Sequence, residues 1–340
     1  MVEIDGSYGE GGGQLVRTAV ALAARTGKAL RLSNMRARRP VPGLAPQHLA
    51  AVRALASLCD ARCTGDELRS ATLLFEPGAR IRGDEVRVDI GTAGAITLIL
   101  QALLPALFGA SSTSRLTITG GTDVRYAPTW DYFCNVLVPL LRRMGLSLQP
   151  TLSRRGYYPA GGGEVTVEVE PGQPAPLVLE GGAAQPGVSG EAHVARLPLQ
   201  VAERMRDAAQ APLAGARIAA RVLRHEEAIG TGGSLTLWAE GEGCRLGASR
   251  VAERGVRAET IGASTGGELA RELASGASLD EHASDQVLVY MALASGPSRF
   301  TARELSSHAR TAIWLIEHFV DTRFSVQARG ALALVEATPL

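Results

Sequence analysis

Two residues near opposite ends of the sequence, Glu10 and His308, stand in contexts suited to phosphate chemistry. Glu10 lies in a glycine-rich stretch, residues 5–14, which leads into a predicted helix from Leu15. Such a loop offers free backbone N–H groups and a helix dipole to an anion, and a carboxylate suits the hard cation accompanying it. The stretch matches neither the P-loop nor the dinucleotide fingerprint. Taken alone, it fits a phosphate site and a tight turn with a solvated glutamate equally well.

His308 is predicted to lie in the first turn of another helix. Ser307 precedes it and is a favourable N-cap residue. The helix dipole there favours the neutral, nucleophilic imidazole and would stabilise a phosphoryl group attached to it. His318, near the end of the same helix, is interpreted as structural. A histidine at a helix start is more often structural than catalytic, so this context alone leaves both roles open.

Arginines dominate the segment between residues 36 and 39, where three of the four residues are arginine. Two prolines and a glycine follow and keep the segment out of a helix. Arginine forks bind phosphate oxygens in a bidentate manner, which makes Arg36 and Arg39 candidate phosphate ligands. A solvated charged loop is the alternative. Gln47 then begins a predicted amphipathic helix that runs to about Leu58.

Further polar or aromatic residues accompany two more glycine-rich segments. Residues 91–95 open an apolar helix that carries Gln101, which is either a core amide or a ligand contact. Tyr126, Pro128 and Trp130 form either a platform for a base or a loop packed on the core. The third glycine-rich segment, residues 155–163, lies between predicted strands at 146–148 and 165–169.

Composition describes a globular protein and excludes several functions. The 340 residues are 46% hydrophobic and 20% charged, with a net charge of +1, which argues against disorder and against a broad face for duplex DNA. The four cysteines form no zinc pattern and are interpreted as reduced thiols of a cytoplasmic protein. No signal peptide is recognised at the start. The longest apolar run, near 96–107, is too short to cross a membrane.

Strands and helices alternate with similar spacing, which predicts a mixed α/β protein containing a duplicated strand-and-helix unit. Composition loosens near residues 182–187, and the following segment has predicted strands and helices of its own, including a helix near residues 267–274. We therefore predict a large domain made of residues 1–184 and 277–340, and a small inserted α/β domain at 185–276.

Taken together, the motifs resemble the RNA 3'-terminal phosphate cyclase family over nearly the whole chain. They lie at residues 5–14, 36–49, 91–94, 155–163 and 285–286. The resemblance implies an α/β (α+β) fold whose large domain repeats βαβαββ units and is related to enolpyruvyl transferases. It also implies the reaction: ATP adenylates a histidine, AMP moves to an RNA 3'-phosphate, and the 2'-hydroxyl displaces AMP to leave a 2',3'-cyclic phosphate.

By resemblance, His308 is the nucleophile and Glu10 binds a divalent metal, Mg²⁺ or Mn²⁺. The implied ligands of ATP or RNA phosphates are Arg17, Arg36, Arg39 and Gln47. The implied nucleotide contacts are Gln14, Gln101, Pro128, His282, Asp285 and Gln286. His282 departs from the family, which usually has an adenine-stacking tyrosine there, and Ala95 stands where serine is common. The implied partners are ATP and RNA 3'-phosphate ends, with no membrane and no duplex-DNA binding face, and protein partners are left open.

Two other functions share this architecture. One is a non-catalytic scaffold of ribosome biogenesis, which lacks the nucleophile that His308 would provide. The other is an enzyme like the enolpyruvyl transferases, which would form no AMP adduct. Fold alone does not separate these functions, but the combination of Glu10 and His308 favours the cyclase.

Overall fold

Residues 1–181, 187–213 and 218–340 are described by a computed structural model. The helices are α1 (Gly13–Thr26), α2 (Pro46–Leu58), α3 (Ile96–Leu107), α4 (Trp130–Tyr132), α5 (Val138–Arg143), α6 (Leu199–Gln210), α7 (Ala258–Ser275), α8 (Glu281–Ala292) and α9 (Ser307–Ile316). A π-helical turn, Phe133–Leu137, joins α4 to α5, and a 3-10 turn, Ala211–Leu213, follows α6. The strands are β1 (Val2–Asp5), β2 (Leu30–Ser33), β3 (Arg62–Thr64), β4 (Leu73–Glu76), β5 (Glu85–Asp89), β6 (Ser114–Gly120), β7 (Leu148–Arg154), β8 (Gly163–Val169), β9 (Gly187–Ala195), β10 (Ile218–Arg224), β11 (Gly232–Gly241), β12 (Cys244–Val251), β13 (Ser298–Ala302), β14 (Thr322–Arg329) and β15 (Leu332–Pro339).

The first two sheets have the same connectivity. Their strand orders are β1-β2-β4-β3 and β5-β6-β8-β7. In each, the first two strands are parallel and joined by a helix, and the last two form antiparallel pairs. Each unit is therefore βαβαββ, and the predicted duplication is confirmed.

A third sheet, β13-β15-β14, repeats the last three positions of this order. The place of the first strand is taken by Leu279, which makes a parallel bridge to Ala302. Leu279 also bridges Arg245 of β12, so the third sheet is continuous with the fourth, β10-β9-β11-β12. The segment between the second and third units has its own apolar core, formed by α6, α7 and the fourth sheet. The predicted boundary at residue 185 lies outside the described residues, and the division into domains stays a prediction.

Helix α1 is central to the arrangement of the site, because it packs against α2, α3 and α9. Its apolar residues from Leu15 to Ala24 are buried, and Gly27 ends the helix in the left-handed conformation with φ of 68°. This packing brings the start of α9, near the end of the chain, to the glycine-rich loop that precedes α1.

Helix α7 shows where local propensity misled the prediction. A helix near 267–274 was expected, yet α7 begins at Ala258. Glycines disfavour a helix interior, but a Cβ on Gly262 or Gly266 would lie 2.1 or 2.3 Å from backbone atoms of α6. These glycines therefore allow α6 and α7 to pack closely, and tertiary contact overrides propensity.

Other elements also differ from expectation. The strand predicted at 146–148 begins only at Leu148 and continues to Arg154, while β12, β14 and β15 were not predicted. Much of β14 is exposed and polar, so its sequence carries little apolar alternation. All four cysteines are free thiols, as expected. None of the described helices is long and apolar enough to cross a membrane.

Candidate active site

Glu10 and His308 are in direct contact, although nearly the full length of the sequence separates them. Nδ1 of His308 lies 3.1 Å from Oε2 of Glu10. The hydroxyl of Ser307 donates a hydrogen bond to the other carboxylate oxygen, Oε1, and a guanidinium nitrogen of Arg39 lies 3.8 Å from Oε2. The imidazole remains 45% exposed. Because Nδ1 faces Glu10, Nε2 is the ring nitrogen left for a substrate.

The start of α9 differs by one residue from the prediction. Ser306, rather than Ser307, is the N-cap, and its hydroxyl accepts a hydrogen bond of 3.0 Å from the N–H of Ala309. His308 is still in the first turn. The shift leaves the Ser307 side chain available to Glu10, so adjacent serines serve the helix and the carboxylate separately.

The side chain of His48 packs against Gly13, at the end of the glycine-rich loop. A Cβ on Gly13 would lie 1.9 Å from Nε2 of His48, so only glycine fits at the first residue of α1. The ring is buried, and its Nδ1 accepts a hydrogen bond from the N–H of Ala45. Burial, with the charges of Arg17 and Arg36, lowers the pKa of His48 to about 3. A neutral His48 therefore fixes α2 against α1. The sequence placed this residue in a motif but assigned it no role.

A pocket between α1, α3, α8 and α9 collects five of the predicted site residues. They are Gln14, Arg17, Gln101, Asp285 and Gln286. Val289, Tyr290, Ala312 and Ile316 provide apolar walls. A few polar groups converge on an apolar lining, as in small-molecule sites, but the cavity volume of about 40 Å³ is well below the roughly 300–1,000 Å³ of such sites, so the pocket would take only one part of a ligand.

Burial dominates the electrostatics of this pocket. It raises the pKa of Asp285 to about 7, although the charges of His282 and Arg17 oppose the shift. Burial also lowers the pKa of Arg17 to about 10, against the effect of Asp285. Nε2 of Gln286 donates to the His282 carbonyl, whereas its buried Oε1 has no hydrogen-bond partner. A ligand carrying a donor would satisfy that oxygen.

Arg36 and Gln47 hold loops in place. Arg36 donates a 2.7 Å hydrogen bond to the carbonyl of Gly43 and so closes its own loop. Oε1 of Gln47 accepts a hydrogen bond of 3.3 Å from the N–H of Ala95, which precedes α3. Gln47 therefore links the start of α2 to the second glycine-rich turn. The phosphate contacts predicted for both residues stay predictions.

Pro128 and His282 flank the region of α4 and α8. The carbonyl of Pro128 accepts a 2.8 Å hydrogen bond from Thr97. The His282 ring lies edge-on to Tyr132, with 6.3 Å between ring centroids. Its Nε2 is 3.8 Å from a carboxylate oxygen of Glu268. The His282 side chain is 56% exposed, and although its loss of hydration lowers the pKa, nearby acids, first Asp280, raise it overall. The adenine slot implied for Pro128 and His282 stays a prediction.

A second group of ionisable side chains, which sequence reasoning missed, is fully buried. Arg155 lies 3.1 Å from Asp123, 2.7 Å from Asp131 and 3.1 Å from Glu191. His193 has Nε2 3.1 Å from Asp131 and Nδ1 3.0 Å from the Tyr157 hydroxyl. This ionic cluster joins the second sheet to β9. The available signal was Arg155 itself, which begins the third glycine-rich segment.

In this cluster, burial and the neighbouring charges shift the pKa values in opposite directions. Burial favours neutral carboxyls, but the Arg155 guanidinium and His193 hold the pKa of Asp123 and Asp131 below the ordinary value. Burial and Arg155 disfavour a charged His193, yet the two aspartates raise its pKa overall. Asp123, Asp131 and His193 have ligand atoms within 4.8 Å of one another. A metal ion there would lie against the guanidinium, so we assign the cluster to structure.

Comparison with known proteins identifies the family. The family model described as RNA 3'-terminal phosphate cyclase matches residues 8–326. Proteins of that name from Nitrosospira multiformis and Methanopyrus kandleri are 51% and 41% identical to this chain, with all of this chain and 97% and 99% of theirs covered. One from Pyrococcus furiosus is 41% identical over 96% of this chain and 95% of its own. The resemblance drawn from the motifs is thus confirmed, and the chain belongs to the RNA 3'-terminal phosphate cyclase family of enzymes.

Proposed function

We propose that this chain converts RNA 3'-phosphate ends to 2',3'-cyclic phosphates in an ATP-dependent reaction, with His308 carrying AMP. The observation that carries the proposal is the contact of His308 Nδ1 with Glu10, 3.1 Å long, at the start of α9. A nucleophilic histidine needs one nitrogen held by a partner and the other open. Here Glu10 engages Nδ1, which leaves Nε2 to attack phosphorus.

The chemistry runs in three displacements. Nε2 of His308 attacks the α-phosphorus of ATP, forming a P–N bond as the bond to pyrophosphate breaks. An oxygen of the RNA 3'-phosphate then attacks the same phosphorus, and the P–N bond breaks to free the imidazole. In the last step the adjacent 2'-hydroxyl attacks the RNA phosphate, loses its proton and expels AMP.

Charge on the transferred phosphates is met by residues around His308. Arg39 lies beside Glu10, and Arg17 lines the neighbouring pocket. Glu10 offers an oxygen ligand at a partly exposed site, which fits a Mg²⁺ or Mn²⁺ ion held by one carboxylate and substrate phosphates. Such an ion, when bound, would neutralise charge on the leaving pyrophosphate. The polar groups of Gln14, Gln101, Asp285 and Gln286, which line the small pocket, would contact one part of the nucleotide.

The test is covalent labelling with ATP that is radioactive at the α-phosphate, in the presence of Mg²⁺ or Mn²⁺. We expect the wild-type protein to retain acid-labile, alkali-stable label after denaturation, and His308→Ala to retain none. His318→Ala is the matched control, because His318 lies just beyond the same helix and should not affect labelling. A folded wild-type protein that takes up no label would reject the nucleophile and favour a scaffold or an enzyme without an AMP adduct.

A further inference from the structure

Side chains on one face of α9 contact three successive residues of the glycine-rich loop. Ser307 contacts Glu10, Thr311 lies so close to Gly9 that a Cβ there would be 2.3 Å from its hydroxyl, and Trp314 stacks on Tyr8. The helix residues are spaced i, i+4 and i+7, so they form one stripe along the helix. The loop therefore runs antiparallel to α9, with Glu10 at one end of the contact and Tyr8 at the other.

The Tyr8 ring has one covered face and one open side. Its centroid lies 3.7 Å from that of Trp314, with 16° between the ring planes. Despite this stacking, Tyr8 remains 44% exposed. An exposed aromatic ring that is already held flat by a second ring loses little freedom when a ligand stacks on it.

Two arginines contact the loop residues that follow Tyr8. A guanidinium nitrogen of Arg38 lies 3.2 Å from the carbonyl of Gly9, and the Arg38 side chain is exposed. Arg39 follows it and approaches Glu10. Grooves that bind single-stranded nucleic acids combine aromatic rings, on which the bases stack, with cationic side chains that bind the phosphate backbone.

We propose that the open face of Tyr8 stacks against a base of the substrate RNA, within two nucleotides of its 3'-phosphate. The proposal rests on the function proposed above, which puts the RNA end at His308. The eight residues from Ser307 to Trp314 span about 10 Å of helix, which is the reach of a neighbouring nucleotide. Stacking tolerates any base because every base has a π face, so this contact would favour single-stranded ends without selecting their sequence.

Two variants separate stacking from loop support. We expect Tyr8→Leu to bind a single-stranded RNA ending in a 3'-phosphate about 5- to 100-fold more weakly than wild type, the factor that one stacked base contributes. Tyr8→Phe keeps the ring and should bind within about twofold of wild type. Affinity is measured by fluorescence anisotropy without ATP, and self-adenylation with labelled ATP is measured in parallel.

The RNA is varied as well. An abasic residue is placed at each of the two terminal nucleotides in turn. At one position it should weaken wild-type binding by a factor similar to that of Tyr8→Leu, and it should weaken binding of Tyr8→Leu much less. Unchanged affinity of Tyr8→Leu, or of wild type for both abasic RNAs, would overturn the proposal. Failure of the wild type to self-adenylate would instead reject the proposed function, because the binding measurements do not depend on adenylation.

Discussion

Two histidines of this chain meet a carboxylate at the same distance, 3.1 Å, in opposite surroundings. His308 is 45% exposed and, among the acids of the described residues, pairs only with Glu10. His193 is completely buried between two aspartates and is influenced by the charge of Arg155. In water a surface pair is worth little, which leaves the His308 imidazole free to exchange partners during a reaction. In the interior the same contact is part of a network whose charges cannot separate without large cost. Burial, rather than the pairing itself, decides which histidine is available for chemistry.

Removing the centre of the buried network should have the largest effect. Arg155→Met leaves three buried carboxylates without their main partner, so we expect the free energy of unfolding to fall by about 3–5 kcal/mol. The control is Arg115→Met, because Arg115 pairs with Glu168 at the exposed rim of the molecule, where both side chains face solvent, and it should contribute less than about 1 kcal/mol. Urea unfolding measures both. Equal effects of the two variants would contradict the contrast between interior and rim.

Breaking the exposed pair should affect reactivity and leave stability unchanged. Glu10→Gln removes the charge facing Nδ1 of His308, and we expect self-adenylation to slow by about 100-fold, near the lower bound for a positioned ionisable group. The free energy of unfolding should change by less than about 0.5 kcal/mol. Glu3→Gln, an exposed acid on β1, is the control and should react as wild type does. A stability loss in Glu10→Gln comparable to that of Arg155→Met would remove the distinction.

The buried His193 should make the free energy of unfolding depend on pH. The pKa of His193 is raised in the folded protein, so its proton stabilises the fold fully below the unfolded value near 6.5 and ceases to do so as pH rises through the folded pKa. His193→Asn cannot titrate. We expect the stability difference between wild type and variant to be greatest below about pH 6.5 and to shrink above it, by about 1 kcal/mol per unit of raised pKa.

Urea unfolding of both proteins between about pH 5 and pH 9, which brackets the unfolded histidine pKa, provides this difference. Subtracting the two curves removes the contributions of His48, His282 and Asp285, whose pKa values are also shifted. A difference that does not vary with pH would show that the pKa of His193 is the same in the folded and the unfolded protein, and a difference that grows as pH rises would show that His193 is neutral in the fold.

The smallest effect is expected at the two adjacent serines. Ser307→Ala removes one hydrogen bond to Glu10 and should slow self-adenylation by about fivefold, the equivalent of about 1 kcal/mol. Ser306→Ala removes the helix cap and should lower the free energy of unfolding by about 1 kcal/mol, while adenylation changes less. Single-turnover labelling measures the adenylation rate of each variant, and urea unfolding measures its stability. The same pattern in both variants would contradict separate roles.

Much of the site was predictable because its signals are local. The glycine-rich loop, the arginine segment and the helix start at His308 each depend on a few consecutive residues. The first two sheets followed the expected duplication. The helix cap was displaced by one residue, since Ser306 and Ser307 are equally suitable by type and only packing chose between them.

The buried cluster was not predictable in the same way. Asp123, Arg155 and His193 are separated by tens of residues and look, one at a time, like ordinary polar positions. Their structural role depends on burial, and no local sequence pattern predicts that a charged side chain is buried. The close packing of α6 on α7 through Gly262 and Gly266 was missed for the same reason, because a glycine's neighbours are set by distant segments.

The sequence by itself determined the family, the repeated α/β unit and the residue types around phosphate chemistry, since these are written in contiguous motifs. Only the tertiary structure determined that Glu10 contacts Nδ1 of His308, that Tyr8 stacks on Trp314, and that His193 is buried beside aspartates. The physical reason is that pairing and burial depend on which distant segments pack together. A histidine's chemistry follows from that environment more than from its neighbours in sequence.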